Sequence, residues 1–191
     1  YNAFMNSDFK IVVYCQRDEK LSKRPPKERG MSIMEWSRVP EKEYSYSGLK
    51  GVIGIIFAKR YLDGIYIGIT CSSTYDNYST VVPTKLGLIL RTTMLTYARN
   101  HENITNAYNH AANEKLVTYY KRLGWLLSKH GCSTPDPLST IFSELESDAA
   151  VYAFLETSDV KAIKVSSGYP MRLCNYDINS VISDTIVEFS K

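Results

Sequence analysis

Hydrophobic positions along this chain change period several times, and each change marks an element. Residues 9–15 (FKIVVYC) are β-branched and aromatic and read as a strand. Residues 16–30 are charged and carry Pro25 and Pro26, which predicts a loop, and 31–39 reads as a short helix stopped by Pro40. Two apolar runs follow, 51–60 (GVIGIIFAKR) and 65–71 (IYIGITC), joined by Tyr61, Leu62, Asp63 and Gly64. An Asp-Gly pair between two such runs predicts a hairpin. Residues 72–80 form a polar connection.

From residue 86 the period becomes helical. Leu86, Ile89, Leu90, Met94, Tyr97 and Ala98 make one stripe, which predicts a helix over 86–99. Residues 104–111 read as a strand, 113–123 as a second helix stopped by Gly124, and 125–128 as another strand. Asp136 and Pro137 start a helix over 137–146. Residues 151–156 and 162–166 read as strands, and 180–190 as a strand or short helix. This order predicts a mixed α/β (α+β) fold, with a largely antiparallel central sheet flanked by helices. At 191 residues the chain fits one domain over 1–191.

Composition narrows the class. With 44% hydrophobic and 23% charged residues the chain can bury a core, which excludes a disordered polyelectrolyte. The net charge of +3 has its one dense basic run at 20–29, which reads as a solvated loop. A nucleic acid partner stays open but is not favoured. No run of 18 apolar residues exists, so no membrane span is expected, and no secretory signal pattern appears. The four cysteines are far apart and read as reduced thiols, which predicts a cytoplasmic, intracellular protein. Nothing has zinc-ligand spacing, so no metal is expected.

Two segments carry candidate chemistry. In 81–90 (VVPTKLGLIL) an apolar strand end meets Pro83, a polar pair and then Gly87 as a helix begins. Unsatisfied amides at a helix N-terminus bind phosphate oxygens, and Gly87 lets backbone approach the anion. The plain alternative is a junction without a ligand. In 113–125 the residues Asn113, Val117, Tyr120 and Gly124 share one helical face, beside a core-facing set of Leu116, Tyr119 and Leu123. There the plain alternative is a core tyrosine and an N-capping Asn113.

Asn113, Leu116, Tyr119, Tyr120, Gly124 and Trp125 stand at the spacing Asn-x-x-Ala-x-x-Phe-Tyr-x-x-x-Gly-Phe. The segment thus resembles motif B of the GCN5-related N-acetyltransferases, with Leu116 for Ala and Tyr119 and Trp125 for Phe. Residues 84–89 resemble the same family's motif A, Arg/Gln-x-x-Gly-x-Gly/Ala. Gly87 is kept, whereas Thr84 and Ile89 depart from the pattern. The resemblance covers residues 51–128 and accounts only loosely for 133–191.

That resemblance implies acetyl-CoA (coenzyme A) as cofactor and transfer of an acetyl or related acyl group to an amine acceptor by direct attack. Pantetheine is then expected between the splayed strands that precede the two helices. Tyr120 becomes the general acid for the departing thiolate. Lys85, Leu86, Gly87, Leu88 and Ile89 present amides to the pyrophosphate. A backbone amide around Val81 and Val82, or at Cys71 and Ser72 if the long connection is an insertion, supports the oxyanion, and Asn113 holds the pantetheine arm or the helix entry. The base is not dictated: Asp63, Asp76 and His110 are candidates, beside a water chain. The altered motif A leaves open a catalytically silent module of the same fold, and a nucleic-acid-modifying relative is a further alternative.

Overall fold

Leu62 and Asp63 turn the chain between β4 (Val52–Tyr61) and β5 (Gly64–Ser72), so the predicted hairpin forms. Leu62 takes a positive φ of 49° to close it. Gly64 is required at the turn's exit, since a Cβ there would sit 2.2 Å from the Asn106 carbonyl oxygen. The computed structural model describes residues 6–14, 21–23, 42–44, 52–72 and 85–190. The short helix expected at 31–39 lies outside them.

β1 (Phe9–Tyr14) adds antiparallel to the outer edge of β4. On the other side stand β6 (Ala107–Ala111), β8 (Tyr169–Leu173) and β7 (Leu126–Leu127), giving the order β1-β4-β5-β6-β8-β7. Every pairing is antiparallel except β5 with β6. A parallel pair needs a crossover, and helix α1 (Leu86–Glu102) supplies it. A separate two-stranded ribbon joins β2 (Leu21–Lys23) to β3 (Lys42–Tyr44). The sheet is thus mixed and mostly antiparallel, flanked by helices, as the periodicities predict.

Helix α2 (Glu114–Arg122) follows β6, and α3 (Pro137–Glu144), α4 (Asp148–Leu155), α5 (Ser158–Ile163) and α6 (Ile178–Phe189) complete the chain. The core joins Ile56, Ala58, Ile65 and Ile67 of the hairpin to Leu86, Leu90, Met94 and Ala98 of α1. Each such buried Ile, Leu or Met side chain stabilises the fold by about 1.5–3 kcal/mol. Helix α6 lies along α1, where Thr92 and Thr185 hydrogen-bond at 2.7 Å. Tyr176, just before α6, donates to the Leu95 carbonyl at 3.0 Å.

Two expectations change, and one open alternative is decided. Residues 151–155 are helical rather than a strand, and of 162–166 only Ala162 and Ile163 lie in a helix, while Val165 makes an isolated bridge to Gly168. Ser147 caps the first of these by accepting from the Ala150 amide, and Val151, Leu155, Val160 and Ile163 are buried at helical spacing. Short apolar runs do not separate the two states by themselves. The segment 180–190 is helical, started by Asp177, whose carboxylate accepts from the Ser180 amide. Finally, Cys132 and Cys174 form a disulfide across a Cα separation of 5.5 Å, so these two are not reduced thiols. The intracellular expectation loses the support it took from them. No helix among the described residues is long and apolar enough to cross a membrane.

Candidate functional site

The parallel pair is short. β5 and β6 match only at Ile65 with Ala107 and Tyr66 with Tyr108. Immediately beyond, the register of β5 against β4 slips between Ala58–Ile67 and Phe57–Ile69, which leaves Gly68 as an extra residue. A bulge of this kind bends its strand and increases the local twist. Gly68 permits it because a Cβ would meet the Phe57 ring at 2.8 Å. β5 therefore follows β4 onward to Ser72, while β6 follows β8 to Ala111. β5 and β6 make no ladder pair beyond Tyr66 and Tyr108, and this unpaired stretch is the wedge.

Polar groups along the wedge lack partners. Among the described residues, the Thr70 hydroxyl and both side-chain amide atoms of Asn109 are buried without a hydrogen-bond partner. Asn109 is one residue past the last paired position and only 3% exposed. Orphaned buried amides are uncommon and mark places where a ligand or water completes the set.

Above β5, α1 begins without a side-chain cap. Lys85 enters it in the left-handed region at φ 60°, and its carbonyl accepts from Leu88 and Ile89. Among the described residues, a Cβ on Gly87 would meet the Thr70 methyl at 3.7 Å, an ordinary van der Waals contact. Leu86 and Leu88 are buried, Ile89 is partly exposed, and the Lys85 amine donates to the Glu188 carbonyl at the end of α6. Val82, Thr84 and Asp76 lie outside the described residues.

Asn113 and Gly124 bracket α2. The Asn113 side-chain oxygen accepts from the Leu116 amide at 3.0 Å. Gly124 turns the chain at φ 80°, with the Trp125 amide donating to Tyr120 and that of Gly124 to Lys121. That is the Schellman pattern of a glycine-terminated helix. Tyr120 is 6% exposed, packed on Trp125, and its hydroxyl accepts from Arg91 Nη2 at 2.5 Å. The guanidinium carbon lies 4.2 Å from the Tyr120 ring centroid, while Arg91 Nε has no partner. The cavity beside them, bounded by Leu88, Arg91, Leu123 and Trp125, holds only about 10 Å³.

A larger cavity of about 440 Å³ borders the same strand pair at Tyr66, Tyr108 and Asn109. His110 lines it too. Its Nδ1 lies 3.1 Å from the Tyr66 hydroxyl and 2.5 Å from Ser167 Oγ. Burial pulls the imidazole below its ordinary pKa, which favours the neutral form. Asp63 stays at the hairpin turn and accepts the Tyr108 hydroxyl; burial first, then that bond, pushes the Tyr108 phenol up to about 12. No cluster of three or more His, Cys, Asp or Glu side chains suited to a metal occurs among the described residues.

Sequence reasoning passed over Gly68, Asn109 and Arg91. Two of them leave a trace: a glycine interrupts an alternating strand, and an arginine falls four residues after Gly87 on the inward stripe of α1. Asn109 leaves none.

No protein-family model matches the chain, and no curated protein matches it. Among solved structures it is similar to Tetrahymena GCN5, at 12% identity over 71% of this chain and 68% of that one, with a TM-score of 0.38. It is also similar to Rv2747 from Mycobacterium tuberculosis, in complex with CoA and NLQ, at 15% identity over 69% and 73%, with a TM-score of 0.37. Overlap this partial bears on no residue's role.

Proposed function

We propose that the chain, as one domain over residues 1–191, is an N-acetyltransferase that moves an acetyl or related acyl group from acyl-CoA to an amine. The observation that carries this reading is the wedge beyond Tyr66 and Tyr108, with the unpartnered Thr70 hydroxyl and Asn109 amide beside it. Two strand edges freed from each other suit an extended arm that carries its own amides, as pantetheine does. When bound, acetyl-CoA supplies an activated acyl thioester.

The chain's own residues divide the remaining work. The Leu86 and Gly87 amides hold the pyrophosphate, helped by the positive end of the α1 dipole and by Lys85, while Leu88 and Ile89, whose amides donate to the Lys85 carbonyl, fix the turn that presents them. Val82 is assigned the backbone amide that supports the oxyanion. Asn113 fixes the start of α2, and so the position of Tyr120 two turns on. The Tyr120 hydroxyl holds the proton destined for the leaving sulfur. The hydroxyl accepts from Arg91 and so keeps its own proton, but the Arg91 side chain must move to admit the arm, because the cavity it borders holds only about 10 Å³. The reading keeps the cytoplasmic setting, against which the Cys132–Cys174 disulfide weighs.

Acetyl-CoA titration by calorimetry, followed by thiol release with a panel of amines, tests the proposal. Tyr120→Phe is expected to lower turnover by roughly 10²-fold or more while cofactor affinity holds. Absence of any binding at millimolar acetyl-CoA would sink it. The Arg91–Tyr120 bond favours a second reading, a silent module whose phenol is permanently engaged. In that case acetyl-CoA binds, no amine releases thiol, and Tyr120→Phe changes nothing but stability.

A further inference from the structure

The cavity of about 440 Å³ has a size typical of small-molecule sites. One part of its lining is aromatic. Tyr61 meets Tyr66 and Tyr108 edge-to-face at centroid distances of 5.9 and 5.4 Å, and Tyr66 meets His110 at 5.4 Å. Such rings accept a further flat ring at low entropic cost, because their mutual contacts already fix them. Ile163, Val165, Pro170 and Met171 make the lining apolar elsewhere.

Charge gives the second constraint. Lys59, Arg60, Lys129 and His130 stand around the cavity, and no carboxylate of the described residues lines it. Arg60 is paired with Glu102, and Asp63 and Asp136 accept from the lining Tyr108 and Ser128, so among the described residues Lys59 and Lys129 are the lining lysines left to meet a ligand's charge. A simple cationic amine entering here meets like charge, whereas an amine bearing its own acid group finds partners at the rim.

We propose that this cavity is the acceptor side of the wedge, and that the acceptor is an amine carrying both an aromatic ring and an acid group, of the aromatic amino acid class. The juxtaposition of the Tyr61–Tyr66–Tyr108 rings with Lys59 and Lys129 carries it. The acceptor role rests on the transferase reading, and the ligand class does not.

Calorimetric titration of the full chain with L-tryptophan, tryptamine and indole-3-propionate separates ring, amine and acid. L-tryptophan and indole-3-propionate are expected to bind at least about tenfold tighter than tryptamine. The Lys59→Glu/Lys129→Glu double variant, its fold checked by circular dichroism, is expected to lose that preference. Equal or tighter binding of tryptamine, or no heat from any of the three at millimolar concentration, overturns the inference. Thermal shift with acetyl-CoA runs in parallel. A shift without ring-acid binding defeats this inference alone, whereas ring-acid binding without a shift defeats the transferase reading and the acceptor role with it.

Discussion

Arg91 of α1 lies across the ring of Tyr120 on α2, donating at 2.5 Å to the phenol that the motif B resemblance makes a proton donor. Both side chains are buried, and the guanidinium Nε has no partner. Removing one member strands the other, whereas removing both leaves a well-packed apolar contact. Tyr120→Phe alone is expected to destabilise by about 1–3 kcal/mol, and Arg91→Met/Tyr120→Phe by less than either single change. Urea unfolding of the four proteins measures the coupling. Additive losses would mean that the bond contributes nothing.

Arg91→Met also bears on access. If Arg91 stands in the way of the arm, this variant binds acetyl-CoA more tightly than the parent chain by calorimetry. Weaker binding would instead make Arg91 part of the cofactor site.

The Gly68 bulge lies just past Tyr66, where the ladder between β5 and β6 ends. Gly68→Ala places a Cβ 2.8 Å from the Phe57 ring, and overpacking of this kind costs about 1–3 kcal/mol. Phe57→Leu in the same chain is expected to recover most of that loss, read as the urea midpoint. Failure of the second change to compensate would place the strain elsewhere.

His110 gives a pH signature. Its folded pKa lies below the ordinary 6.5 because burial disfavours the imidazolium. As pH falls below about 6.5 the unfolded chain takes up a proton that the folded chain does not, so stability declines until the folded pKa is reached. Above that window the group is neutral in both states and contributes no slope. His110→Gln is expected to flatten this stretch of the stability–pH curve, while identical curves would show His110 to be as solvated folded as unfolded.

The Cys132–Cys174 bridge closes a span of 42 residues running from the β7 exit to the end of β8. Closing a loop of this length restricts the unfolded chain, so reduction is expected to lower stability by about 2–4 kcal/mol. Melting with and without reductant, beside a Cys132→Ser/Cys174→Ser variant, checks it. Unchanged melting would show the thiols to be unlinked in solution.

Local chemistry determined what the sequence alone could determine. The Asp63-Gly64 turn, the stripe of α1, and the Asn113 cap and Gly124 stop of α2 each depend on neighbours within a few residues, and all were legible. So was the mixed, mostly antiparallel character of the sheet, because alternation and helical period follow burial on one face. Val151–Leu155 was not, since four or five apolar residues satisfy either period until packing chooses one. The pairing of Cys132 with Cys174 depends on where β8 lies, and no spacing rule reaches 42 residues along the chain. The same holds for the wedge and for the Arg91–Tyr120 contact. Each joins side chains brought together only when α1 crosses the sheet, and that crossing is decided by the burial of the whole core rather than by any one segment.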